Sequence, residues 1–445
     1  MKSALLIDDD NISRKVLSQA LMAAGWSVIE AGDGEQGIQL ALKHRIDAVI
    51  CDLLMPRCNG FQVCRMLRDK PEQFPGLKII VTTHRGFATD RLNALESGAD
   101  HYLVKPVLAS EVLDLLNSPT PKSSTPAPIS GTPTPTAHMP AGNLLRFWGV
   151  RGSIPTPGPG TVFYGGNTTC VEMRVDGQLI VLDSGSGIRL LGNQLAAEFK
   201  GQALELTLLL SHTHWDHIQG FPFFAPAYVA NNQMRIIGFE GYRKGLESTL
   251  AVQMESTYFP VDLRQMPSSI SFLEQREMDF HIGPVRVRSI FVNHPGVTVG
   301  YRLDTSTGSC AFLPDHESYA RMRLHPRASG EKGQQTMDYC RAEDQKLIEF
   351  LRDVDVLILD SQYDEAEYQT HIGWGHSCYE DTVATALAAK AKQLFLFHHD
   401  PLHDDARVSR MVGHARELVA SHRGNLVVEA AREGLTVPLR KPEPT

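Results

Sequence analysis

The sequence contains no C-x-x-C pair, and its cysteines stand scattered at 51, 58, 64, 170, 310, 340 and 378. An odd, dispersed set argues against a disulfide framework and against a thiolate zinc site, so reduced and mostly buried thiols are expected. Also missing is any run of about 18 apolar residues, the least that a membrane helix needs. The opening MKSALLIDDD meets three carboxylates where a signal peptide would continue its apolar core, so a cytoplasmic protein without a membrane span is expected. There is no basic excess: 43 Lys and Arg against 51 Asp and Glu leave a formal net charge of −8. A long nucleic acid is therefore not the expected partner. No repeat at a period of about 20 to 50 residues occurs. What remains is an ordinary globular composition, 42% hydrophobic and 21% charged over 445 residues, which implies more than one folded domain.

One composition shift divides the chain. From Ser118 to Ala141, SPTPKSSTPAPISGTPTPTAHMPA carries Pro, Thr and Ser with almost no large apolar residue, the signature of an extended tether. The expected domains are residues 1–117 and 142–445, joined by the linker 118–141. Upstream of it the apolar runs ALLI, WSVIE, AVIC, KIIVTT and HYLV alternate with helical periodicity over Asn11–Ala24, Glu35–Lys43, Phe61–Arg68, Ala88–Ser97 and Ala109–Asn117. Strands that are each followed by a helix form a doubly wound, five-stranded parallel α/β domain, and such sheets bind ligands beyond the carboxyl ends of their strands.

Those ends carry the chemistry. Asp8, Asp9 and Asp10 follow the first run and Asp52 ends the third; like charges gathered in one crevice imply a hard cation such as Mg²⁺. Thr83 ends the fourth run, and Lys105 and Pro106 follow the fifth. The stretches LLIDDD, DLLMPRCNG and GADHYLVKP, with their spacing, resemble the receiver domain of bacterial response regulators over residues 1–117. The resemblance implies that Asp52 takes a phosphoryl group from a sensor histidine kinase and that Asp8 and Asp9, with Asp52, hold Mg²⁺. It also implies that Lys105 pairs with the phosphoryl oxygens and that Thr83 and Tyr102 report the modification. Two positions depart from the family: Asn59 replaces the Asp common before Gly60, and His84 stands where a small residue usually follows the Thr. Receivers often pair through the face of their last helices, so a homodimer is expected.

Of 18 histidines, 14 lie from His212 onward. LTLLLSHTHWDHIQG sets His212, His214, Asp216 and His217 directly after an apolar run, where a strand turns into a helix. Two His at a spacing of two can face one ion, and Asp216 with His217 a second. This H-x-H-x-D-H pattern resembles the metallo-β-lactamase fold, a four-layer αββα architecture, and the remaining motifs follow in family order as LIVLDSGSG, FVNHPG, AFLPDHES and QLFLFHHDP. The resemblance implies that His212, His214 and His294 bind one metal, that Asp216, His217 and His398 bind another, and that Asp315 bridges them, with Asp183 orienting a ligand from behind. His399 is expected to point away and be structural. Nitrogen and oxygen donors alone suit two Zn²⁺ ions and tolerate Mn²⁺ or Fe²⁺. A pair of such ions acidifies water and clamps the oxygens of a displacement.

The fold hosts many hydrolases, so the ligands do not choose a substrate. GWGHSCYEDTVATALAAKAKQ opens an expected helix with His376-Ser377 at its start, and this pair resembles the His-Ser element of RNase Z and of related phosphodiesterases acting on cyclic phosphates. That resemblance implies that His376 protonates a leaving oxygen and that Ser377 lies near substrate; Asp216 and His376 are the candidate catalytic residues. Gly165, Gly166 and Asn167 resemble the opening of the same branch, with Asn167 reaching a substrate oxygen. The aromatic cluster Phe221, Phe223, Phe224 and Tyr228 is a candidate base pocket or, more simply, core. The expected activity is metal-dependent hydrolysis of a small or cyclic phosphodiester, regulated through Asp52. A lactonase, a thioesterase and a non-catalytic ligand-binding output remain alternatives.

Overall fold

The computed structural model describes residues 2–55, 58–84, 91, 94–95, 97–117, 142–200, 202–239, 245–324 and 331–440. The linker 118–141 and most of the helix expected near Ala88–Ser97 lie outside the described residues.

The first domain is a parallel sheet of β1 (Ser3–Ile7), β2 (Ser27–Ala31), β3 (Ala48–Asp52), β4 (Lys78–Thr83) and β5 (His101–Val104), in the order β2-β1-β3-β4-β5. Between them run α1 (Asn11–Ala23), α2 (Gly34–Lys43) and α3 (Gly60–Arg68), and α4 (Ala109–Asn117) follows β5. Short polar side chains start these helices. Asp10 accepts the Ile12 N–H, Asp33 accepts the Gln36 N–H, and Asn59 forms a reciprocal cap with Gln62. The Asn59 that departs from the family thus does what an Asp would do at that position. Strand order reverses between β1 and β3, which opens a crevice at their carboxyl ends beside Asp8 and Asp52.

The second domain has two seven-stranded sheets. One orders as β11-β10-β9-β8-β7-β6-β19, built from β6 (Leu144–Gly149), β7 (Cys170–Val175), β8 (Gln178–Leu182), β9 (Glu205–Leu210), β10 (Gln233–Gly238), β11 (Ser269–Glu274) and β19 (Thr436–Pro438). The other runs β12 to β18 in sequence order: β12 (Asp279–Ile282), β13 (Val285–Phe291), β14 (Val299–Asp304), β15 (Ser309–Leu313), β16 (Val356–Asp360), β17 (Gln393–Phe397) and β18 (Val427–Ala430). Helices α5 (Ile188–Glu198), α6 (Trp215–Ile218) and α7 (Gly245–Val252) belong to the first half. Helices α8 (Glu331–Leu351), α9 (Glu365–Tyr368), α10 (Tyr379–Ala388) and α11 (Asp405–Ser421) belong to the second.

Alternation of side chains along the strands produces four layers. Phe147, Val171, Ile180 and Leu209 point from one sheet into Val287, Tyr301, Phe312 and Phe395 of the other, all fully buried. The Phe147 and Phe395 rings lie 5.1 Å apart, and Tyr301 donates its hydroxyl across the interface to the Leu210 carbonyl at 2.7 Å. The outer faces are covered by helices: Leu191 and Leu195 of α5 on one side, Val383 of α10 and Met411 of α11 on the other. The seven cysteines are buried and form no disulfide, and among the described residues no helix is long and apolar enough to cross a membrane.

Candidate metal centre

Six strands end at one rim of this sandwich, and each hands over a polar residue. Asp183 follows β8, His212 follows β9 after Ser211, and His294 follows β13 after a short turn. Asp315 follows β15, Asp360 ends β16 and His398 follows β17. Five of these strands are apolar and buried on both faces, while β13 alternates buried Val with exposed and half-buried Arg; in each case the polar residues at the strand's end emerge at the edge.

There the ligand atoms of His212, His214, His294 and Asp315 all lie within 4.8 Å of one another, as do those of Asp216, His217, Asp315 and His398. Asp315 belongs to both groups because its two oxygens face different ways. Oδ2 lies 3.7 Å from His212 Nε2 and 3.5 Å from His294 Nε2; Oδ1 lies 3.0 Å from His217 Nε2 and 3.3 Å from His398 Nε2. Asp216 Oδ2 closes the second group at 3.1 Å from His398 Nε2, and it accepts the Ser153 N–H at 2.8 Å.

The opposite ring nitrogens are held from behind. His217 gives Nδ1–H to Asp183 Oδ2 at 2.7 Å, His294 to the Gly375 carbonyl at 2.8 Å, and His398 to Gln362 Oε1 at 3.2 Å. Ser211 donates to Asp183, so its oxygen accepts Nδ1–H from His212 at 3.1 Å. A ring that spends Nδ1–H on an acceptor turns its Nε2 lone pair inward, the tautomer a metal requires. His214 instead presents Nδ1, 3.0 Å from His294 Nε2.

The donor set fits a pair of divalent ions. His212 Nε2, His217 Nε2 and Asp315 Oδ1 are buried without a hydrogen-bond partner, and groups of that kind are costly unless a cation or proton sits between them. Burial, followed by the neighbouring His217 and His214, holds His212 well below the ordinary range, so it is a neutral imidazole with a bare lone pair. Burial acts the same way on His217 but is overcome by Asp315, Asp216 and Asp183, which hold it well above. A cation in that position takes the place of the proton.

Two residues of the site have left-handed backbone: Asp183 and His398, with φ of 58° and 61°, a conformation that this chain also uses at turns such as Asp176 and Asp353. A Cβ on Gly152 would sit 2.3 Å from His398 Nδ1, so only glycine lets the chain pass behind that ring.

His376 stands beside the centre, its ring 4.8 Å from that of His398. Its Nδ1 lies 2.8 Å from Asp360 Oδ2. Burial opposes the charge, yet Asp360 and then Asp315 lift the imidazole to about 9, so it carries a proton at neutral pH. The expected helix start is corrected: α10 begins at Tyr379 with Cys378 as its cap, which leaves His376 and Ser377 in the preceding loop. That loop is fixed by buried Glu317, which accepts N–H groups from Gly373 at 2.8 Å and Gly375 at 2.9 Å and the Tyr368 hydroxyl. Ser377 gives its hydroxyl to the His316 carbonyl at 2.6 Å, and Asn167 is bound to Glu433 and Ser186, so both are already committed to the frame. Phe221 and Phe224 are core residues, whereas Phe223 is exposed. His399 points away and meets the Ala431 carbonyl at 2.9 Å.

In the first domain the parallel sheet brings Asp8, Asp52, Thr83 and Lys105 to one rim. Lys105 Nζ lies 2.8 Å from Asp8 Oδ2 and 3.2 Å from Asp52 Oδ1, and oxygens of Asp8, Asp9 and Asp52 fall within 4.8 Å of one another. Burial, opposed by Lys105 and joined by Asp8 and Asp9, pushes the Asp52 carboxyl up to about 7, as a crowded cation site does. Thr83 is buried at the end of β4, and Tyr102 is half-buried on β5.

Fold and sites together define a doubly wound domain with a carboxylate-lined rim, joined to an αββα domain with two adjoining His/Asp clusters. Residues 4–117 match the response regulator receiver domain and residues 180–330 the beta-lactamase superfamily domain, so the chain is a response-regulator receiver fused to a metallo-β-lactamase-fold domain. Response regulator MprA of Mycobacterium sp. (strain KMS) is 40% identical over 109 residues, 24% of this chain and 46% of that protein. The chain spans about half the length of the curated relatives it matches. Among solved structures it is similar to the metallo-beta-lactamase fold protein YhfI from Bacillus subtilis, at 16% identity over 67% of this chain and 99% of that one, TM-score 0.46. It is also similar to a diphosphatase of the PhnP family, at 17% identity over 67% and 100%, TM-score 0.43.

Proposed function

We propose that the second domain is a two-metal phosphodiesterase for a small or cyclic, nucleotide-like phosphodiester, and that phosphorylation of Asp52 by a sensor histidine kinase regulates it. The observation that carries the reading is a protonated, Asp360-bound His376 placed beside a carboxylate whose two oxygens divide between two histidine groups. His212, His214, His294 and Asp315 would hold one ion, and Asp216, His217, His398 and Asp315 the other; when bound, they supply Lewis-acid charge to a phosphoryl oxygen and acidify water.

The protein's part is positioning and one proton. Attack of water on phosphorus breaks the ester P–O bond, and the departing alkoxide needs a proton. His376 keeps Nδ1 on Asp360 and donates from Nε2; Asp360 stabilises the imidazolium before transfer and fixes the ring's direction. Trp215, between His214 and Asp216, and Trp374, two residues before His376, are 75% and 60% exposed and offer flat apolar faces to a base or other ring. A thioester leaves as a weakly basic thiolate and gives such an acid less to do.

The test is a substrate panel on metal-loaded protein, comparing an aryl phosphodiester and cyclic nucleotides with a lactone, a thioester and a β-lactam. Preferential cleavage of phosphodiesters, lost in His376→Ala with metal retained, is the expected result. Preference for a lactone or thioester that survives His376→Ala would replace this reading.

A further inference from the structure

His84 of the receiver and Tyr339 of α8 lie face to face, with ring centroids 3.4 Å apart and planes within 5°. His84 follows Thr83 at the rim that bears Asp8, Asp9 and Asp52, so the stack joins the phosphoacceptor end of one domain to a helix of the other. Lys346 lies two turns along the same face of α8. Its charge reaches across the joint: against the opposing pull of burial, Glu343, Asp9 and Asp10 strengthen its hold on the proton. Burial and the ammonium groups of Lys105 and Lys346 keep His84 well below its ordinary range, so a flat, neutral ring meets the tyrosine.

The other side of α8 leads to the metal centre. Tyr339 packs edge-on against Tyr319 at 6.1 Å, and Asp344 accepts backbone N–H groups from Tyr319 and Ala320. Tyr319 packs on His316 at 5.6 Å. His316 follows Asp315 and donates its N–H to Asp360 Oδ2 at 3.0 Å, the same oxygen that holds His376. One run of contacts thus connects the receiver rim to the general acid.

We infer that the Tyr339–Lys346 face of α8 is a built-in docking partner for the phosphoacceptor rim of the receiver, and that filling this rim with Mg²⁺ and a phosphoryl group releases it. The inference deepens the proposed regulation by naming the surface that carries it. Lys346 already offsets charge on Asp9 and Asp10, so a divalent ion drawn to Asp8, Asp9 and Asp52 repels it. A Thr83 hydroxyl that turns toward a phosphoryl group moves the next residue, His84, off the tyrosine ring. Freed α8 then no longer braces Tyr319 and His316 behind Asp360.

The experiment uses the full chain with metals bound and follows backbone amide exchange over residues 337–347 together with the radius of gyration from small-angle scattering. Each is measured with and without Mg²⁺ plus beryllium fluoride, a phosphoryl mimic. In the wild type the mimic should speed exchange in this segment severalfold and expand the particle. Tyr339→Ala and Lys346→Glu should show the faster exchange without the mimic and no further response to it; Lys346 is exposed, so its charge reversal remains informative if the tyrosine variant fails to fold. Identical exchange with and without bound mimic, or variants that leave exchange unchanged, would overturn the docking. Neither readout uses turnover. Inactivity toward phosphodiesters with the expected exchange pattern therefore removes the enzymatic reading and leaves the docking in place.

Discussion

Asp360 Oδ2 lies 2.8 Å from His376 Nδ1, where β16 ends at the site rim and both residues are buried. Removing the ring should separate chemistry from metal binding: His376→Ala should lower phosphodiester turnover about 10² to 10⁴-fold, the usual contribution of a general acid, while metal content per chain stays unchanged. The acid form is lost as pH rises, so the wild-type rate profile should carry an alkaline limb; ions that draw on Asp315 and Asp216 place it below the value of about 9 that these carboxylates support in their absence. Asp360→Asn removes the charge that raises His376, and that limb should move to lower pH. An unmoved limb would show that another group titrates.

The split carboxylate of Asp315 makes a different demand. Because Oδ2 faces His212 and His294 while Oδ1 faces His217 and His398, Asp315→Ala should weaken both sites at once. Elemental analysis should find two ions per wild-type chain and fewer in the variant, with activity lost. A single ion in fully loaded wild type would remove the dinuclear assignment.

Gly152 tests whether the rear of the site matters as much as its front. A methyl group there would sit 2.3 Å from His398 Nδ1, in the space through which the ring is held by Gln362. Gly152→Ala should swing His398 off its line and cost about 10 to 100-fold in affinity at the second site, as loss of a supporting contact does. Circular dichroism should remain that of a folded chain, and a competing chelator should strip one ion at lower concentration than from wild type.

How far the sequence led is visible in these residues. Each apolar run that ends in Asp or His marks a strand delivering a ligand to the rim, which is why Asp183, His212, Asp315 and His398 stand out; VLILD ends on Asp360 in the same way and carries the same signal. Gln362, the Gly375 carbonyl and the Ser153 N–H carry none, because their roles arise from chain segments far apart in sequence and, for two of them, from backbone atoms. His376-Ser377 resembles a helix start only if the turn before Cys378 is ignored; Glu317, which fixes that turn, lies more than fifty residues upstream. The αββα layering follows from strand patterning, while the stack of His84 on Tyr339 joins two residues whose local sequences say nothing of each other.

Asp52 offers a prediction in which pH and metal act together. A carboxylate, not a carboxylic acid, attacks a phosphodonor, and in this crevice burial together with Asp8 and Asp9 outweighs Lys105 to push the group up to about 7. With little Mg²⁺ present, phosphorylation by a small acyl phosphate should therefore be slow at pH 6 and rise as pH passes through about 7, where the nucleophile ionises. A divalent cation held by Asp8, Asp9 and Asp52 favours the charged form, so saturating Mg²⁺ should carry the midpoint to lower pH and flatten the profile across neutrality. Lys105→Ala removes the one nearby charge that already favours ionisation, so its midpoint in low Mg²⁺ should lie above that of wild type. Intact-mass measurement of the phosphorylated fraction against pH, at two Mg²⁺ concentrations, reads all three. A wild-type midpoint that stays in place when Mg²⁺ is raised would mean that the three carboxylates do not share an ion.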